Sequence, residues 1–139
     1  MKKKIIISVT IAILFVLNSK SLLAQQTRRD TLNYLQQVVE NKANYIGKPF
    51  SVLKKDIKLE IKSFSPFGAA NRYEETSTTF YFKHPKKQED FSYPQLIITW
   101  TSPLDMRMSD SLFFKNHRKW DSEIESFYAP AIIADIRTR

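Results

Sequence analysis

Apolar side chains recur along this chain with more than one period, and each period predicts a different element. Ile5–Leu17 is an almost wholly apolar run, framed by Lys2-Lys3-Lys4 before it and by Asn18 and Lys20 after it. Between Thr27 and Ile46, the positions Leu32, Leu35, Val39, Ala43 and Ile46 fall at steps of three and four, which is one face of a helix. Thr27 or Asp30 can cap its start by accepting exposed backbone N–H groups. Gly47 and Pro49 end it, since glycine turns the chain cheaply and proline cannot extend the ladder. Ser51–Lys55 adds a short helical turn capped by Ser51.

From Ile57 the period drops to two. Ile57, Leu59 and Ile61 alternate with Lys58, Glu60 and Lys62, which predicts a half-buried strand over Ile57–Phe64. Pro66-Phe67-Gly68 then opens a loop. Thr76–His84 and Gln95–Ser102 are rich in β-branched and aromatic residues and predict two further strands. Pro94 and Pro103 bracket the last of these. Ser109–Tyr128 returns to helical spacing, in one piece or in two, because Ser122 and Glu125 form a capping-box pattern after Asp121. Pro130 breaks that run, and Ala131–Ile136 predicts a last turn or two of helix. Short connections favour antiparallel pairing. The expected fold is therefore a two-layer α+β domain: an N-terminal helix, a three-stranded antiparallel sheet and C-terminal helices. Leu59, Phe80, Phe82, Ile98 and Trp100 would lie under the helices.

The first 24 residues change the picture of where the chain acts. A positive start, a 13-residue apolar run, a polar break and Leu22-Leu23-Ala24 before Gln25 have the order of a secretory signal peptide. A membrane anchor is the alternative, but spanning takes roughly 20 apolar residues. The expected organisation is a signal over 1–24 and one domain over 25–139, in the periplasm or outside the cell. Four of the 22 basic residues belong to the leader, so 18 face 14 acidic ones in the remainder and the net charge falls from +8 to +4. That weakens a nucleic-acid partner, which needs a strong basic footprint. There is no cysteine, which excludes disulfides, thiol chemistry and cysteine-ligated metals. Two glycines leave no glycine-rich phosphate loop. No cofactor is expected.

Catalytic patterns are thin. His117 and Asp121 would share a face of a continuous helix, yet two residues do not make a zinc site and the plainer reading is a surface pair. His84 ends a strand among lysines and reads as a rim residue. The carboxylate pairs Glu74-Glu75, Glu89-Asp90 and Glu123 with Glu125 read as solvated charge rather than a glycosidase pair. No G-x-S-x-G elbow is present. Lys115–Lys119 reads as a solvated helix face, with an anionic surface as the functional alternative. Two binding surfaces remain. The open face of the sheet would carry Lys58, Lys62, Tyr81, Lys83, Ile97 and Thr99, suited to an acidic envelope protein or an anionic envelope polymer. A loop edge would carry Phe67, Arg72, Tyr73, Lys86, Lys87, Phe91 and Tyr93.

The Leu-Leu-Ala-Gln-Gln end of the leader, the segment Tyr45-Ile46-Gly47-Lys48-Pro49-Phe50-Ser51-Val52-Leu53, Trp100 and Phe127-Tyr128 together resemble small exported proteins of Bacteroidetes-type bacteria. The resemblance implies a periplasmic address and no particular activity. The expected function is a non-enzymatic binding or interaction module. The alternatives are a small periplasmic hydrolase using His84 or His117, or an immunity- or inhibitor-like protein.

Overall fold

A computed structural model describes residues 25–68, 70–84 and 92–139. The leader over 1–24, the Glu89-Asp90 pair, Lys86, Lys87 and Phe91 lie outside the described residues. Helix α1 covers 25–40 and is followed by a 3-10 turn, Lys42–Asn44. The expected helix to Ile46 is thus shorter. Ala43 and Ile46 are exposed, and Leu35 is the helix's fully buried apolar anchor. Gly47, at φ +76, makes the reversal that its lack of a side chain permits. Helix α2 is Phe50–Asp56, with Pro49 rather than Ser51 at its cap position.

The fold is α+β with an antiparallel sheet, but among the described residues the sheet has four strands, not three. Their order is β1 (Ser63–Phe67), β2 (Glu74–Tyr81), β3 (Gln95–Asp105) and β4 (Ile133–Thr138). Helices α3 (Met106–Lys115) and α4 (Ser122–Tyr128) intervene between β3 and β4, so the chain ends in a strand. The break between α3 and α4 is sharp. His117 and Arg118 both take positive φ, 51° and 66°, and Asp121 restarts the helix by accepting the Ile124 N–H at 3.0 Å. His117 and Asp121 therefore share no helix face.

One register shift and one missing partner strand explain what periodicity misreads. β4 takes up most of the span expected as a last turn or two of helix, and its buried Ile133 and Ile136 lie three apart, a helical spacing. That spacing comes from an irregularity in the β3–β4 ladder between Thr99 and Trp100, where Thr99 pairs with Asp135 and Trp100 with Ile133. The first strand was expected six residues too early. Ile57 and Ile61 are buried and Lys58 and Glu60 exposed, as alternation predicts, but ladder pairing begins only at Ser63. Burial alternates there without a partner strand. Pro66 is tolerated because β1 is an edge strand.

The helices cover one face of the sheet. Phe64, Phe80, Leu96, Ile98, Ile133 and Ile136 project into the core, where Phe50 stacks on Phe80 at 5.0 Å and Trp100 on Tyr128 at 5.7 Å. Phe82 follows the end of β2 and is only partly buried, as is Leu59. The segment before α2 also binds β4: the Gly47 N–H donates to Ile133 O at 2.8 Å and the Ile133 N–H to Lys48 O at 3.0 Å. Among the described residues no helix is long and apolar enough to cross a membrane.

Candidate functional site

Pairing across all four strands lays the helix-free face out in rows. Ser65 pairs with Thr79, Thr79 with Ile97 and Ile97 with Arg137. On one side of this row Phe67 pairs with Ser77, Ser77 with Thr99 and Thr99 with Asp135. On the other, Ser63 pairs with Tyr81 and Tyr81 with Gln95, and Gln95 exchanges backbone hydrogen bonds with Arg139 at 3.2 Å. Alternation along each strand sends these side chains away from the core.

Over these rows lies a groove of about 370 Å³. Its walls come from Ser65, Pro66 and Phe67 of β1 and from Arg137 and Arg139 on the β4 side, with hydroxyls of Ser77 and Thr79 and the side chain of Ile97 between them. The groove is polarised: β1 supplies the Ser65 hydroxyl and an aromatic ring, Phe67, that is 59% exposed, and the β4 side supplies two arginines. Among the described residues, no lining side chain is acidic. Asp135, one row along, pairs with Arg137 Nε at 3.8 Å and with Lys42 Nζ at 2.6 Å. The Lys42 hydrogen bond holds its carboxyl below the ordinary range. Tyr81 and Gln95, 7% and 1% exposed, also line it.

The expected open-face residues divide. Tyr81, Ile97 and Thr99 do lie on the helix-free face. Lys58 and Lys62 precede β1 and lie outside its strand, because the strand starts later than alternation implied, and Lys62 is paired with Glu60. Lys83 follows β2, with its ammonium 4.6 Å from the centre of the Tyr93 ring. The positive charge of the groove comes instead from Arg137 and Arg139, which reading 131–136 as helix left without a face.

Of the expected loop edge, Phe67 lines the groove. Tyr73 carries Arg72 over its ring at 4.7 Å and Arg107 at 5.6 Å, a separate cluster at the end of β2. His84 is exposed beyond β2. Lys115 bonds Glu123 at 2.7 Å, and Glu125 accepts from the Trp120 indole N–H at 3.3 Å, so these carboxylates are engaged in surface pairs. Among the described residues, no three His, Asp or Glu side chains gather as a metal site would require.

A second polar cluster lies on the other face, inside the core. The β2–β3 register shifts between Glu75 and Ser77, and in consequence Glu75 and Thr78, three apart, both point inward. Glu75 is 0% exposed. The Tyr128 hydroxyl lies 3.0 and 3.1 Å from its two carboxyl oxygens. Thr78 Oγ1 donates to Glu75 Oε1, and the Trp100 indole N–H donates to Thr78 Oγ1 at 2.9 Å. Burial pushes the Glu75 carboxyl up to about 7, against these hydrogen bonds, which pull it down. Burial, and then the charge of Glu75, push the Tyr128 phenol well above its ordinary range. Strict alternation assigns Glu75 to the outer face, so this cluster had no signature in the sequence.

Comparison of the chain with protein-family models, curated proteins and solved structures finds no match.

Proposed function

We propose that this protein is an exported, non-enzymatic binding module that holds an acidic, partly apolar segment of another envelope protein on the helix-free face of its sheet. The single observation that carries this reading is the polarised groove, with two arginines at the β4 side, no acidic lining side chain among the described residues, and Ile97 and Phe67 to receive apolar groups. Guanidinium groups offer forked donors that match carboxylates. Hydroxyls along the rows can donate to the same groups or accept from a peptide backbone. The apolar contribution of Ile97 and Phe67 favours a protein segment over a purely polar polymer. The periplasmic address rests on the leader pattern of Met1–Ala24.

A fluorescent peptide alternating glutamate with phenylalanine is the direct probe, with a lysine-for-glutamate counterpart and a sulfated polysaccharide as controls. The acidic peptide is expected to bind, more weakly as salt rises, because exposed charges are screened over roughly 8 Å at physiological ionic strength. The double reversal Arg137→Glu with Arg139→Glu is expected to abolish that binding. Binding unaffected by the reversal, or a preference for the polysaccharide, would overturn the reading. For the address, intact mass of protein from the native host should show a chain starting at Gln25. Full-length material in the inner membrane would contradict it.

A further inference from the structure

The geometry points to Glu75 as a proton-dependent latch between β2 and α4: the folded protein holds Glu75 as a neutral acid, and ionisation as the medium passes from mildly acidic to alkaline weakens the contact. The inference concerns the core cluster and is independent of what binds in the groove.

Around the carboxyl, β2 presents Thr78, β3 presents Trp100 through Thr78, and α4 presents Tyr128. Tyr128 is the only titratable group among them, and it is neutral throughout the relevant range. No lysine, arginine or histidine among the described residues pairs with Glu75. Charged residues on the packed elements, Glu74, Asp105, Arg107, Asp110, Lys115, Glu123 and Glu125, are exposed or partly exposed, and none bonds it.

Hydroxyls suit a neutral acid, because each can both donate and accept. The Trp100 N–H fixes one of them. By occupying an acceptor position on Thr78 Oγ1, it leaves the Thr78 hydrogen to point at Glu75 Oε1. The Tyr128 hydroxyl, 3.1 Å from Glu75 Oε2, can accept the acid's own proton. This ring of partners therefore serves the carboxylic acid as donor and as acceptor. It offers the carboxylate hydrogen bonds but no opposite charge, and an unpaired buried charge is strongly disfavoured. Tyr128 is the last residue of α4. One carboxyl group thus ties that helix to the bulged start of a strand.

Between the ordinary carboxyl value and about 7, the folded state holds more protons than the unfolded state. Stability is then fully present at acidic pH, falls as pH rises through this window, and levels off above it. The sign is opposite to that of a salt-bridged carboxylate.

The test is chemical denaturation of the full chain and of Glu75→Gln, a neutral isostere, from about pH 4 to about pH 9. The unfolding equilibrium of the native sequence should shift by on the order of 100-fold across the window, and that shift should be missing from Glu75→Gln. Parallel curves would overturn the inference. Should Glu75→Gln fail to fold, isotope-edited NMR of the native glutamate carboxyls decides instead. A Glu75 titration midpoint near neutrality supports the latch, and a midpoint in the ordinary carboxylate range overturns it.

Discussion

The two faces of the sheet carry polar groups of similar kinds and use them in opposite ways. On the helix-covered face, Thr78, Glu75, Tyr128 and Trp100 bond one another in a space filled by Phe50, Phe64 and Phe80. On the helix-free face, Ser65, Ser77, Thr79, Arg137 and Arg139 border an open groove. Inside, a hydroxyl matters because losing its partner strands a buried polar group, so its contribution is to stability and to a single packing arrangement. Outside, water competes for every hydrogen bond, and the same hydroxyl contributes little until a partner excludes the solvent. Substitutions on the two faces should therefore separate cleanly, with stability moving on one and binding on the other.

The largest effect is expected at Trp100. Its ring is nearly buried, stacks on Tyr128 and meets Phe50 edge-on at 5.9 Å. Trp100→Ala should cost about 3–5 kcal/mol by chemical denaturation, from lost contacts and the cavity left behind. A loss under about 1 kcal/mol would mean that the inner face is not the packed face. Next comes Glu75, whose raised carboxyl corresponds to about 3 kcal/mol of stability lost between mildly acidic and alkaline pH. That loss disappears in Glu75→Gln if the buried acid is its source. The smallest effect on stability belongs to the groove. Arg137→Glu with Arg139→Glu should change stability by no more than about 0.5 kcal/mol, the usual range for exposed positions, while removing acidic-peptide binding. A large stability loss with binding retained would erase the distinction between the faces.

Much of the inner face was legible in the sequence. Alternation placed Phe80, Ile98 and Trp100 on one side of their strands, and the Ser122–Glu125 pattern located the restart of the second C-terminal helix, although Asp121 supplies the cap. What escaped came from departures from regular spacing. Ile133 and Ile136 bracket a bulge and so imitate helical periodicity, which hid β4. The shift beside Thr76 turned Glu75 inward against its parity. Ile57–Lys62 alternates because one side of an extended segment is buried, and alternation says nothing about whether a neighbouring strand completes the ladder. The two arginines of the groove escaped with β4, since a side chain gains a sheet face only when its strand is recognised.

The claim on which the functional account turns is that the helix-free face receives the partner. Residue-resolved NMR of the backbone amides during titration with the acidic peptide tests it most directly. The account predicts that the perturbed amides cluster along the rows of Thr79, Ile97 and Arg137, with little change at Trp100, Ile124 and Tyr128. Perturbations concentrated at Arg72, Tyr73 and Arg107, or the absence of any at saturating peptide, would contradict it.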